Sequence, residues 1–390
     1  MLSRRVPTEL EPNAWAARLA DLRAAGASLV DLTEVNPTRV GLGGLEPAQA
    51  EALAHAAARS SYDPDPRGLP SARAAIAAYY RDRSLAVDPA HLVLTAGTSE
   101  AYAHLFRLLA DPGDCVLAPA PSYPLFEPIA ALESLRVRTY PLIWDGRWHV
   151  DRAAFDRGLA EGARAAIVVQ PNHPTGSCLD REEIAALEDS CARHDAALIS
   201  DEVFGDFAWE RRSAGLPSLV GERRALTFVL SGLSKVCGLP QLKLGWIWTG
   251  GPAPARDAAL GGLEWIADLF LSVATPVQEA LAPLLQARHA FQALALARIA
   301  VNRARLAEAA RRRPELTRLE SDGGWVAVVR LPGRRDEERW VLDLLGRGVV
   351  VHPGHFYDLE REPFLVVSLI VEPAVFDAGM SGLESLLAEG

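Results

Sequence analysis

The chain has 390 residues, 49% hydrophobic and 23% charged, enough to bury a large core and to suggest two domains, or one with an appendage. A formal charge of −10 and a pI near 5.5 argue against nucleic acid or an anionic membrane as partner. The lack of any apolar run of about 18 residues predicts no membrane span. The opening MLSRRVPTELEPN holds charge but no apolar segment, so no secretory signal is expected. Cys115, Cys178, Cys191 and Cys237 form no CxxC pair and the histidines no HExxH cluster, so the expectation is free thiols in a reducing cytoplasm and no metal site.

In chain order, short apolar runs at 92–95, 115–118, 136–142, 166–170, 196–200, 226–231 and 244–249 predict seven strands. Helical spacing covers 99–110 (Ala101, Leu105, Leu108, Leu109) and 181–194. Strand, loop, helix and strand at this cadence predict an α/β fold, with a mostly parallel sheet sandwiched by helices. A long helical pattern rich in Ala, Leu and Arg follows at 280–312. Beyond it come strands at 325–331 and 365–369 and a helix at 337–347, a smaller α+β unit. The expected division is 1–45 with the small domain, 46–275 as the large one and 276–390 as connector and small domain. In such sheets ligands sit at the carboxyl ends of the strands.

Four segments stand there. In Thr95-Ala-Gly-Thr-Ser-Glu100, small residues open a helix, so Gly97, Thr98 and Ser99 could close on a phosphate; an ordinary N-cap reads the same way. In Pro121-Ser-Tyr-Pro-Leu-Phe126, Tyr123 could stack on a flat ring or plug the core. Asp201 ends an apolar strand and could pair with a protonated pyridine nitrogen, or merely cap a loop. Lys235 lies among small and apolar residues, where lost hydration lowers its pKa and makes it a nucleophile toward a carbonyl; most lysines are simply solvated.

Order and context sharpen these readings. Gly232-Leu-Ser-Lys235 followed by Gly238-Leu-Pro resembles the lysine signature of the class I/II aminotransferases of the aspartate aminotransferase superfamily, which share the type I fold of pyridoxal phosphate enzymes. Gln170-Pro-Asn-His-Pro-Thr-Gly176 resembles that family's NPNNPTG loop, Asp201-Glu-Val-Phe204 its DEVY, and Tyr62-Asp-Pro-Asp-Pro-Arg-Gly68 its YxxxxG segment. The resemblance implies pyridoxal phosphate held by Lys235 as a Schiff base, with Asp201 on the ring nitrogen and Tyr123 on the ring face. Gly97, Thr98, Ser99, Ser234 and Lys243 would surround the phosphate. Tyr62 would reach the phosphate of a second subunit, which implies a homodimer with shared sites.

The departures from that pattern concern the substrate. His173 replaces an asparagine and Phe204 a tyrosine that both donate to the ring's phenolic oxygen in the family. Lys243 replaces an arginine that grips the phosphate bidentately. Val366, in Leu365-Val-Val-Ser-Leu369, stands where the family has an arginine for the substrate carboxylate, and a valine cannot bind one. Arg39 is a candidate replacement, and His355 and Tyr357 of His352-Pro-Gly-His-Phe-Tyr357 are candidate substrate contacts. The expected activity is amino-group transfer between an amino acid or amine and a 2-oxo acid. A lyase, decarboxylase or cyclase on the same fold is the alternative, and a non-catalytic binding module a third reading.

Overall fold

The computed structural model describes residues 3–7, 11–209 and 217–389. Its centre is an eight-stranded sheet. Across it run Leu92–Thr95, Gly245–Gly250, Thr227–Gly232, Ala197–Asp201, Ala163–Val169, Cys115–Ala120, Arg136–Trp144 and Trp148–Val150. The pairings from Thr227–Gly232 through to Arg136–Trp144 are parallel, and those at the two ends are antiparallel. The seven expected strands are all present. The eighth, Trp148–Val150, is a three-residue return after the Asp145-Gly146 turn, too short to show alternation.

Alternation along the inner strands sorts side chains to two faces. Leu117, Ala166, Val168, Leu198 and Val229 join one core, while Val116, Ala118, Ile167, Ile199 and Leu230 join the other. Helix Thr98–Leu109 lays Ala101, Leu105 and Phe106 on the second face, and Ala253–Asp268 adds Leu260 and Leu263. Pro70–Asp82 and Arg181–Arg193 cover the first face with Ile76, Tyr80, Ile184 and Leu187. Each such large apolar side chain contributes roughly 1.5–3 kcal/mol on full burial. Both faces are therefore dry, and the polar chemistry is confined to the strand ends.

The second unit holds a four-stranded antiparallel sheet in the order Thr317–Arg318, Val326–Arg330, Phe364–Ser368, His352–Pro353. Helices Glu337–Gly346 and Pro373–Ala388 and the long helix Arg288–Arg312 pack around it. Val30–Asp31 pairs in parallel with Val349–Val350, which ties the N-terminal segment to this unit. The single helix expected over 280–312 is instead preceded by a break from the short helix Thr275–Glu279 and broken a second time between Leu281–Gln286 and Arg288–Arg312. At the second break, the buried Arg288 guanidinium donates to the Leu285 carbonyl (2.7 Å) and to Asp82 (2.8 Å), satisfying a helix end that sequence periodicity does not reveal. No described helix is long and apolar enough to cross a membrane.

The two units meet beside the strand ends. Gly176 has φ +68°, and an added Cβ would lie 2.4 Å from the Gly323 carbonyl, so only glycine allows this approach. Next to it Phe204, Phe207, Phe291 and Trp325 interlock edge to face, with ring centres 5.0–6.1 Å apart.

Candidate active site

A pocket opens at the carboxyl edge of the parallel strands. Its lining includes Gly97, Thr98, Tyr123, His173, Asp201, Phe204, Ser234 and Lys235, with Val35, Val169, Val203 and Leu244 between them. Those from Gly97 to Lys235 converge because each lies at or just after the end of a strand of the same sheet, while Val35 comes from the N-terminal segment and Leu244 precedes a strand.

One end suits an anion. The helix Thr98–Leu109 starts at Gly97 (φ 140°) with no side-chain cap, so its first N–H groups are left for a ligand. Gly245 allows this turn to touch the sheet: a Cβ there would stand 3.1 Å from the Gly97 Cα. A Cβ on Gly97 itself would stand 3.5 Å from the Lys243 Nζ, filling the space before that ammonium. Lys243 adopts the left-handed conformation (φ 50°), a strain of about 1 kcal/mol that a non-glycine residue bears only where context imposes it. Ser99 is exposed and does not line the pocket. The next residue, Glu100, instead secures the turn, accepting from the Ala96 N–H (2.6 Å) and the Ser272 hydroxyl (2.6 Å).

The floor carries a carboxylate. Asp201 is buried, accepting from the Tyr102 hydroxyl (3.0 Å) and the Val203 N–H (3.1 Å). Burial pushes its carboxyl up to about 6, and the two hydrogen bonds hold it from going further. Its neighbour Glu202 points elsewhere: it takes Ser218 (2.6 Å) and the Leu219 N–H (2.8 Å) and fastens that loop beneath the site.

Lys235 follows the strand Thr227–Gly232 in the short turn Leu233–Val236. Its Nζ lies 4.9 Å from the centre of the Trp325 ring and 5.5 Å from that of Phe204, and no described carboxylate pairs with it. Desolvation lowers its pKa to about 8, with the Asp201 charge resisting. A neutral amine is thus accessible near neutral pH, as a nucleophile or proton acceptor requires.

Aromatic residues close the mouth. His173 stacks on Phe204 (6.0 Å, 17°) and meets the edges of Tyr123 (6.1 Å) and Tyr357 (5.3 Å). Burial, followed by the charge of Lys235, lowers His173 to about 3, so it is neutral at physiological pH. Tyr123 is 40% exposed at the rim. Tyr357 is buried, its hydroxyl 2.8 Å from His352 Nδ1.

The remaining sequence candidates lie outside the pocket lining. Arg39 has a 74% exposed side chain, 3.4 Å from Glu34. His355 points outward to Glu337 (2.7 Å). Tyr62 is 84% exposed, in a separate groove with Asp65, Leu271 and Gln278. Val366 is 2% exposed, packed with Tyr357 and Val328. Conversely, sequence reasoning passed over Tyr102, Trp325, His352 and Val35. Tyr102 is an ordinary helical aromatic by pattern, and only the Asp201 contact marks it.

These features fit a phosphorylated, flat aromatic ring. An uncapped helix end and an ammonium lie at one end, a buried carboxylate on the floor, and a desolvated amine with aromatic walls between. A Cβ at Gly97 would stand in van der Waals contact with the Lys243 Nζ at 3.5 Å, and the φ of 140° there favours glycine.

The sequence profile of aminotransferases of class I and II matches residues 42–373. The chain belongs to this family. Within these aminotransferases, it is 26% identical over 219 residues to the Escherichia coli K12 glutamate-pyruvate aminotransferase AlaA, covering 56% of this chain and 54% of that protein. It is 30% identical over 252 residues to the Thermus thermophilus aspartate/prephenate aminotransferase, covering 63% of each. These matches therefore span about half to two thirds of the curated relatives' length. The fold matches a structure of Pyrococcus furiosus alanine aminotransferase with a TM-score of 0.89 at 21% identity, covering 100% of both chains. The mostly parallel sheet and the smaller α+β unit are thus the family's type I architecture.

Proposed function

We propose that the chain is a pyridoxal phosphate-dependent aminotransferase, moving an amino group between an amino acid or amine and a 2-oxo acid. The observation that carries this reading is Lys235: a desolvated, unpaired amine in one pocket with the buried Asp201 carboxylate and the Gly97–Lys243 anion cradle. The names of the relatives favour transfer over the lyase, decarboxylase and cyclase readings.

Gly97, Thr98, Ser234 and Lys243 would hold the phosphate, Asp201 the ring nitrogen, and Tyr123 and His173 would flank the ring. When bound, the cofactor supplies an aldehyde that captures amines and a ring that withdraws electrons. The chain's own residues do the rest. Lys235 Nζ accepts and returns a proton, in reach of both forms because its pKa is near 8. Tyr102 and the Val203 amide keep the Asp201 charge aimed at the pocket floor. Val169, Val203, Phe204 and Leu244 exclude water, which strengthens each electrostatic contact inside.

We further propose a homodimer, supported by the exposed apolar side chains of Tyr62, Trp265, Leu269 and Phe270. A reducing cytoplasmic setting fits the four buried, unbridged cysteines.

A panel of amino donors mixed with holoenzyme tests the activity. The expected result is stoichiometric conversion of the bound cofactor to its amine form, with release of the matching carbonyl product. Ammonia release without that form overturns transfer.

A further inference from the structure

Lys235 sits in a turn of only four residues, Leu233–Val236, so its side chain starts from a backbone that no long helix holds. The three residues after it are each docked on the connector between the two units. The Val236 carbonyl, left at the helix end without an intrahelical partner, accepts from Gln292 Nε2 (3.0 Å). The Cys237 thiol donates to the Leu284 carbonyl (3.5 Å). Gly238 lies so close to Phe291 that an added Cβ would stand 2.5 Å from its ring. Phe291 in turn meets Trp325 edge to face (ring centres 6.1 Å apart), and the Trp325 ring faces Lys235 Nζ at 4.9 Å. Adjacent residues of helix Arg288–Arg312 thus support the lysine from its backbone and from its tip.

Gln292 is itself held. The same Nε2 donates to Asp206 Oδ2 (3.0 Å), which fixes the direction of both its N–H bonds. Asp206, in the loop that leaves the Asp201 strand, also accepts from the Tyr79 hydroxyl (3.0 Å) and pairs with Arg83 (3.5 Å). Arg83 donates to the Tyr79 hydroxyl as well (2.8 Å), and Gly205 leaves room for its guanidinium: a Cβ there would stand 3.1 Å from Nη2. With 17% of the Arg83 and 11% of the Asp206 side chain exposed, water competes little for these bonds. One amide therefore joins the loop after Asp201 to the turn of Lys235. We infer that Gln292 is a positioning residue for Lys235, its amide fixing the direction from which the amine meets a carbonyl in the pocket. The inference rests on Lys235 being the reacting amine. A displacement of about 1 Å at such a group costs on the order of a hundredfold in rate, so one hydrogen bond to this turn has a measurable effect.

Lys235 and Lys243 are the chain's two lysines, so chemical labelling reads each separately. Apoprotein is treated with pyridine-4-carbaldehyde and cyanoborohydride. The amine condenses with loss of water, hydride reduces the C=N bond, and peptide mass spectrometry follows each lysine. Gln292→Met keeps the length and loses both donors. It is expected to slow labelling of Lys235 about tenfold and that of Lys243 by less than about twofold, with the midpoint of the Lys235 pH–rate profile still at about 8. In holoenzyme, kcat should fall about tenfold while KM for the amino donor stays within about twofold. Gln292→Asn keeps the amide but withdraws it by one carbon, and should slow Lys235 by about threefold or more; it carries the test if Gln292→Met fails to fold. An unchanged Lys235 rate, an equal loss at both lysines, or a moved pH midpoint overturns the inference. If holoenzyme converts no amino donor, the transfer reading fails, while labelling of the apoprotein still decides the role of Gln292.

Discussion

At the sheet's carboxyl edge, Gly97, Asp201 and Lys235 are each placed by the backbone that precedes them: a strand ends, the chain turns, and the side chain is delivered to the pocket. The buried wall of the second unit beside the pocket is built otherwise. Val35, His352, Tyr357 and Val366 come from separate pieces of the second unit and are positioned by packing against one another. Positions of the first kind are dictated by local geometry and tolerate few residue types. Those of the second kind can be exchanged if volume is conserved, so the wall is freer to change than the edge.

The edge should be the more sensitive to mutation. Lys235→Ala is expected to lower transfer by about a thousandfold or more, since nucleophile and proton acceptor are lost together. Borohydride should then no longer fix cofactor to the chain. Residual activity above a tenth of wild type would remove Lys235 from the chemistry. Asp201→Asn is expected to lower kcat by about a hundredfold and also to leave a signature in the apoprotein. The carboxyl is raised in the fold from 3.8 to about 6, so the native state holds the extra proton: its stabilising contribution is full below about pH 4 and is lost as pH rises through 6. Apo Asp201→Asn should therefore melt a few degrees above wild type at pH 7 and converge with it near pH 4. An offset independent of pH would show that Asp201 is not held protonated by burial.

The same contrast explains how much could be read in the sequence. The strands and the motifs at their ends were legible because period-two alternation and small-residue turns are local signals, as in 92–100 and 226–235. The wall was not. His352 and His355 share one segment, and nothing in its pattern says which faces inward; the pairing of His352 with Val366 decides it. Tyr102 is hidden in a regular helix, and the Arg288 lock that breaks the connector joins residues 206 apart in sequence. Arg39 is a candidate through the family segment it resembles, but Glu34, five residues back, turns it outward. At Val366 the departure from the family pattern was visible in sequence, and what it packs against was not.

Two smaller effects refine the boundary between edge and wall. Lys243→Ala should weaken cofactor affinity by about tenfold, because the ammonium behind Gly97 is lost while the helix N–H groups remain. The loss should shrink at high salt, as expected for a partly exposed charge. A salt-independent loss would instead point to a collapsed turn.

His355→Ala should do least. The imidazole is 57% exposed, and its partner Glu337 also accepts from the backbone N–H groups of His355 (3.0 Å) and Phe364 (2.8 Å). Those two bonds persist in the variant and continue to hold the turn Gly354–Tyr357 in place. The expected cost is under about 0.5 kcal/mol in stability, with kcat/KM within about twofold of wild type. His352→Ala is the matched control: it strips the Tyr357 hydroxyl of a buried partner at 2.8 Å, a cost of about 1–3 kcal/mol, and opens space beside Val366. If His355→Ala proves as damaging as His352→Ala, the outer face of this segment takes part in the pocket, and the wall extends further than packing alone draws it.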